Sequence, residues 1–347
     1  VKGSVELLTK LVSIPSPSGD EGEACRHLAD ALPSVGWERV EIDGVGNVVA
    51  SRGSGEREIV LLGHIDTVPG GPPCALKGDC LWGRGSVDAK GPLCAFAVAG
   101  GNVPVSAGWR VTLVAAVGEE TDSRGARHRI PQHAPAACIV GEPSGTDGVT
   151  IGYRGCIRLV LSAEDGGAHR SGSEGPITAT VRAASDLLAL VDAADSPGLP
   201  IIRRPSGAVV SMFGEERGRR TGRIELDLRL PEGCDPQDWL NAAASATERR
   251  GVSIGILAAI PPHVEDKDNA VARALRLGIR RNGLAPRILA KGGTADFNLA
   301  AAWKCPMAAY GPGDGRLDHT DGEHLPLPEY EASIAVLSSA LPLLMKM

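Results

Sequence analysis

Three short apolar runs, each stopping at a glycine that is followed by an acid or a histidine, constrain this chain more than any other feature. They are Ile59-Val60-Leu61-Leu62 before Gly63-His64-Ile65-Asp66, Val111 to Val117 before Gly118-Glu119-Glu120, and Ala137 to Val140 before Gly141-Glu142-Pro143. Runs of this length read as strands buried on both faces, the pattern of a mainly parallel sheet in an α/β fold. Open sheets of that kind carry their sites at the carboxyl ends of the strands. His64, Asp66, Glu119, Glu120 and Glu142 are therefore expected along one sheet edge.

A change of texture near Cys156 divides the chain. Helices are predicted near residues 3–13 and 21–33, and a further one after Gly91-Pro92. Beyond Cys156 the order becomes strand Ile157 to Leu161, helix Pro176 to Val191, strands Val209 to Phe213 and Ile224 to Leu230, helix Asp235 to Arg249, and strand Val252 to Leu257. This β-α-β-β-α-β order predicts a ferredoxin-like α+β domain. Helix and strand signals of the first kind resume after Ile260-Pro261-Pro262 and end with a helix over Pro328 to Leu344. The expectation is an α/β domain in two segments, 1–155 and 264–347, interrupted by an inserted domain over 156–263. A chain of 347 residues is long for one core and suits this division.

Composition removes several function classes. The net charge of −6 argues against general nucleic-acid binding. No apolar stretch reaches the ~18 residues of a membrane span, and the amphipathic start has no signal core. Eight cysteines without a CxxC pair suit reduced thiols and a cytoplasmic location better than a disulfide framework.

Two further residues carry suitable chemistry. Asp88 lies in the glycine-rich stretch Gly83-Arg84-Gly85-Ser86-Val87-Asp88-Ala89-Lys90-Gly91-Pro92, and His319 in Leu317-Asp318-His319-Thr320. Taken singly, a strand-end cap accounts for His64, a helix cap for Asp88 and a surface turn for Glu119 and Glu120. Asp66, two residues from His64 on an extended segment, is placed to accept its ring N–H and orient it. Together, two histidines and several carboxylates at one sheet edge form a donor set for zinc, with cobalt or manganese as alternatives. No single turn supplies a mononuclear motif, so a shared pair of metal ions fits better.

In order and spacing these residues resemble the M20 metallopeptidases, from Leu11-Val12-Ser13-Ile14-Pro15-Ser16 to Asp318-His319-Thr320. The family includes acetylornithine deacetylase, succinyl-diaminopimelate desuccinylase and carboxypeptidase G. The resemblance implies a zinc-exopeptidase-like catalytic domain with an inserted lid that mediates homodimerisation. It implies two zinc ions bridged by Asp88, one held also by His64 and Glu142, the other by Glu120 and His319. Glu119 is then the general base and Asp66 the partner of His64. A cis peptide at Asp88-Ala89 is a further expectation. His169, in Gly167-Ala168-His169-Arg170-Ser171, matches a lid histidine that reaches the partner's site, although Arg170 replaces the more usual serine.

The stretch Ala290-Lys291-Gly292-Gly293-Thr294-Ala295-Asp296-Phe297-Asn298 aligns with the family's substrate loop. It is similar to the branch that releases lysine or ornithine from an amino-group carrier protein. Lys291, Thr294 and the lid arginine Arg229 are the expected substrate-binding residues. The alternative is a small-molecule N-acyl amino acid deacylase acting on acetylornithine, acetyllysine or succinyl-diaminopimelate. Residues 201–230 hold seven arginines (203, 204, 217, 219, 220, 223, 229) against four acids (215, 216, 225, 227). That excess suggests either a solvated hairpin or a face that steers an acidic carrier protein.

Overall fold

The strand Arg57–His64 is buried from Glu58 onward, because parallel neighbours flank it on both sides. These are Trp109–Ala116 and Ala137–Gly141. Met307–Ala309 adds a fourth parallel strand beyond Ala137–Gly141. Outside this group the direction reverses. Val48–Arg52 runs antiparallel to Trp109–Ala116, and Arg39–Ile42 antiparallel to Val48–Arg52. On the other side Gly148–Tyr153 meets Met307–Ala309 antiparallel at Thr150 and Ala309. The sheet is therefore mixed, parallel only at its centre, which corrects the expectation of a mainly parallel one. The cause is local. Between Ile42 and Val48 the Asp43 carboxylate accepts from the amides of Val45, Gly46 and Asn47 at 3.0, 3.1 and 3.0 Å. A turn this short closes a hairpin and leaves no room for a parallel crossover.

The computed structural model describes residues 3–167, 174–215 and 218–346, which divide into two units. The larger runs to Ile151 and includes Glu265–Leu289 and the chain from Leu299 onward. Its central helix, Lys90–Asn102, is buried from Lys90 to Gly101, as a helix apolar on all sides must be. Small residues make this possible: a Cβ at Gly101 would overlap the Val35 carbonyl. Helix Leu327–Leu344 packs against both this helix and Ala270–Arg281.

At the end of the sheet away from the apolar-run glycines, Glu58 is only 3% exposed. Burial alone would raise its carboxyl. Hydrogen bonds from His133, Thr112 and Arg110 outweigh that and hold it down at about 2. A depressed carboxylate stabilises the fold above its ordinary value of 4.5, and this contribution is lost as pH falls from there towards 2. Glu58→Gln should therefore cost about 1–3 kcal/mol at pH 7 and progressively less below pH 4.5, as read from urea titrations. A cost that stays constant down to pH 3 would contradict this.

The smaller unit comprises Gly152–Val264 and Ala290–Asn298. Its elements follow as strand Gly155–Asp165, helix Pro176–Ala194, strands Ser206–Glu215 and Arg220–Leu230, helix Pro236–Glu248 and strand Ser253–Ile260. The four strands lie antiparallel, with Arg220–Leu230 and Gly155–Asp165 central and Ser206–Glu215 and Ser253–Ile260 at the edges. In Arg220–Leu230 burial alternates residue by residue, so that Ile224, Leu226, Leu228 and Leu230 join Ile157, Leu159 and Leu161 in one core. Residues 290–298, expected in the larger domain, pack with the smaller unit instead. Arg154 accounts for this: its Nε donates to the Gly292 carbonyl at 2.7 Å. Its own carbonyl accepts from Thr294 Oγ1 at 2.8 Å and Asn298 Nδ2 at 3.1 Å.

Candidate active site

Strand register brings the predicted residues level. Gly63 pairs with Ala115 on one side and Gly141 on the other, and His64 pairs with Ala116. Glu142 follows Gly141 directly, so it leaves its strand beside His64. Past Val117 the chain turns at Gly118, whose φ of 77° is left-handed and suits glycine. The Gly118 carbonyl accepts from the amides of Thr121, Asp122 and Ser123, which fixes Glu119 and Glu120 within a tight turn. Asp88 arrives just before helix Lys90–Asn102. That helix has no side-chain cap, so capping does not explain Asp88. The Asp88-Ala89 peptide is cis.

Asp66 is fully buried and holds the turn in place. Its Oδ1 accepts from the Glu119 amide at 3.0 Å, and its Oδ2 from the Glu120 amide at 3.1 Å and the Ser18 hydroxyl at 2.6 Å. His64 Nδ1 lies 3.0 Å from the Asp66 carbonyl oxygen and 3.6 Å from Oδ1. The main chain of Asp66 thus makes the shorter contact with His64, and its carboxylate chiefly serves the two amides. Sequence patterning gave no sign of Ser18. It reaches Asp66 because Ser16 and Ser18 bond to Thr67 through their backbones, Thr67 N to Ser16 O at 2.9 Å and Ser18 N to Thr67 O at 3.3 Å.

His64, Asp88 and Glu120 offer donor atoms that all lie within 4.8 Å of one another. His319 joins them, its Nε2 standing 3.0 Å from Glu120 Oε1 and 3.2 Å from Asp88 Oδ2. His64 Nε2 lies 3.2 Å from Asp88 Oδ1, so Asp88 presents one oxygen to each histidine. Glu120 has a side chain only 8% exposed, so its carboxylate is turned away from solvent although Thr121 and Asp122 of the same turn are exposed. Glu142 is 7% exposed.

Charge explains what such a cluster requires. Hydrogen bonds to Asp88 and Glu120 push His319 up to about 10. Burial opposes protonation of His64, yet its contacts with Asp66, Asp88 and Glu119 raise it well above the ordinary imidazole value. The carboxylates therefore demand positive charge, supplied by protons on the histidines or by a cation in their place. Neutral imidazole and carboxylate donors fit a divalent metal, and the cluster constitutes a metal-dependent site.

The expected substrate residues lie in the smaller unit. Lys291 closes strand Arg287–Lys291 and stands 5.9 Å from the centre of the Tyr153 ring. Thr294 donates its hydroxyl to the Arg154 carbonyl, and Arg229 pairs with Asp227 at 2.9 Å. His169 falls outside the described residues. The arginine excess of residues 201–230 is offset in space. Arg203 meets Glu232, Arg204 meets Asp195, Arg219 meets Glu164 and Arg220 meets Asp165. These acids lie outside the counted window, so four of its arginines are paired in space; Arg217 falls outside the described residues.

Comparison with known proteins agrees with this site. Residues 60–342 match the model of peptidase family M20/M25/M40. A LysW-lysine hydrolase of Deinococcus radiodurans is 37% identical over 346 residues, spanning 97% of this chain and 95% of that protein. A putative LysW-lysine/LysW-ornithine hydrolase of Thermococcus kodakarensis is 39% identical, spanning 96% of this chain and 90% of that one. Among solved structures, an M20 family metallo-carboxypeptidase from Sulfolobus solfataricus superposes with a TM-score of 0.82 at 16% identity, over 99% of both chains. The chain belongs to the M20/M25/M40 peptidase family. Within it, the chain is a metal-dependent hydrolase of C–N amide bonds and not an endopeptidase.

Proposed function

We propose that this chain releases lysine or ornithine from an amino-group carrier protein, by cleaving the amide between a carrier glutamate and the amino acid's α-amine. The observation that carries this reading is near-full-length similarity, at 37 to 39% identity, to proteins named for that activity. Two divalent cations, zinc in the first place, would be held by His64, Asp88 and Glu142 and by Asp88, Glu120 and His319. When bound, they supply Lewis acidity at the carbonyl and make a water acidic enough to ionise near neutral pH.

The residues of the chain do the rest. Glu119 takes the proton of the attacking water and passes it to the leaving amine. Asp66 fixes the turn from which Glu119 and Glu120 project. Lys291, Arg229 and Thr294 bind the amino-acid end of the substrate, and His169 supports the developing oxyanion.

The smaller unit is read as a ferredoxin-like lid that also dimerises. Its edge strand Ser206–Glu215 is exposed along its whole length. Val210, Met212 and Phe213 are 53, 67 and 59% exposed, and an unpaired apolar edge of this kind supports pairing with a second copy. All eight cysteines are free, which supports a reducing, cytoplasmic setting. No helix among the described residues is long and apolar enough to cross a membrane.

The test compares kcat/KM for carrier-linked lysine, carrier-linked ornithine, acetyllysine and acetylornithine, each with added zinc. Carrier-linked substrates are expected to exceed the free acyl amino acids by at least ~100-fold, since only they add binding outside the reacting amide. Equal rates on acetylated amino acids would replace this reading with that of a small-molecule deacylase.

A further inference from the structure

Glu323 is fully buried and has no part in the ligand or base roles assigned above. Its Oε1 accepts from two consecutive amides, Val87 at 3.0 Å and Asp88 at 3.2 Å. Its Oε2 accepts from Arg84 Nη1 at 2.6 Å. Arg84 then reaches the other loop, donating through Nη2 to the His319 carbonyl and through Nε to the Gly70 carbonyl, both at 3.3 Å. One ion pair, its carboxylate buried and its guanidinium partly exposed, therefore grips the backbone at Asp88 and the backbone at His319, residues far apart in sequence whose side chains meet in the metal cluster.

The surrounding fold delivers the pair to this position. Strand His324–Pro326 lies antiparallel to Cys80–Trp82, which in turn pairs with Ala75–Lys77. Glu323 enters that pairing from one side and Gly83 leaves it on the other, the Gly83 amide bonding to the Glu323 carbonyl at 3.3 Å. The arrangement also answers a local need. His319 has a φ of 62°, a left-handed conformation that costs a non-glycine residue roughly 1–2 kcal/mol. Such a conformation persists only where neighbours over-determine it, and the Arg84 bond to its carbonyl does so. A buried carboxylate is expensive unless fully paired. Here both oxygens are satisfied by three donors.

We propose that Arg84 and Glu323 are positioning residues that set His319 against Asp88, and so govern affinity for the cation shared by Asp88, Glu120 and His319. The inference rests on the two-cation reading above. It predicts unequal effects: the cation of His64 and Glu142 meets this pair only through Asp88, whose amide a glutamine at 323 can still hold, whereas the other cation also relies on His319, which Arg84 reaches.

The experiment is a zinc titration of the intact protein against a chromophoric chelator, with thermal melts of the metal-free form alongside. In Glu323→Gln one oxygen still accepts the two amides, but the new NH₂ confronts Arg84. One of the two zinc affinities should fall by about 10–100-fold while the other is unchanged. Arg84→Lys keeps charge against Glu323, loses the second arm to His319, and should show a smaller loss. A double variant, Arg84→Met with Glu323→Gln, should lose no more than the worse single variant, since the two act as one unit. In each case kcat should recover at saturating zinc. Lower melting temperatures with both zinc affinities unchanged would reduce the pair to a brace of the fold and overturn the proposal. Wild-type protein that takes up a single zinc would overturn the two-cation reading instead. Neither outcome depends on which substrate is cleaved, so the proposed activity stands or falls separately.

Discussion

Replacing Glu119 with glutamine is expected to lower kcat by about 10²- to 10⁴-fold, the usual contribution of a positioned general base, while zinc content stays unchanged. The substitution is isosteric, and the backbone at Glu119 is held independently of its side chain by the Asp66 carboxylate. The turn that carries Glu120 should therefore keep its place. Glutamine cannot take a proton from water, so the loss should fall on kcat and leave KM near its wild-type value. The measurement is steady-state kinetics on carrier-linked lysine together with metal analysis of the same preparation. A variant with full metal content and near-normal kcat would remove Glu119 from the mechanism.

Some of the residues that met at the site had positions the sequence could express locally. His64 and Glu120 end or follow buried strands, so the apolar runs that announced the sheet also announced its edge; Glu142 follows a third such strand and is buried, and its place as a ligand remains part of the proposal. Asp88 and His319 lie in loops, and only the combination of donor types pointed to them. Residues that act through backbone groups left no such signal. Ser18, Arg84 and Glu323 bond across separations of 48, 235 and 236 residues, and nothing in the flanking sequence of any of them sets it apart. The arginine window shows a related limit. Charge was counted along the chain, whereas Arg220 faces Asp165 across paired strands. Hydrophobic alternation, by contrast, is local and survives folding, and it delineated the strands and helices of the smaller unit well. It could not reveal that residues 290–298 belong there, because Arg154 recruits them through carbonyl oxygens that every residue possesses.

Asp66→Asn is the second substitution expected to have a large effect, and its consequences should extend from stability to chemistry. The wild-type carboxylate takes three hydrogen bonds, from the Glu119 amide, the Glu120 amide and the Ser18 hydroxyl. An asparagine offers one oxygen and one NH₂ in their place. The Ser18 hydroxyl can rotate and become an acceptor, but a backbone amide cannot. Whichever way the side chain settles, the Glu119 or the Glu120 amide is left facing a donor inside a fully buried site, at a cost of about 1–3 kcal/mol. The turn can relieve that only by moving, and moving it displaces both the proposed base and a proposed ligand. Zinc affinity should fall by about 10–100-fold, and kcat should stay depressed even at saturating zinc, because Glu119 shifts with the turn. Ser18→Ala provides the comparison. It removes one donor, leaves both amides satisfied, and should cost only about 0.5–1.5 kcal/mol with zinc affinity nearly intact. Urea titrations, zinc competition and kcat at saturating metal distinguish the two. If Asp66→Asn proved no worse than Ser18→Ala in all three, Asp66 would be a packed carboxylate and not the residue that positions the catalytic turn.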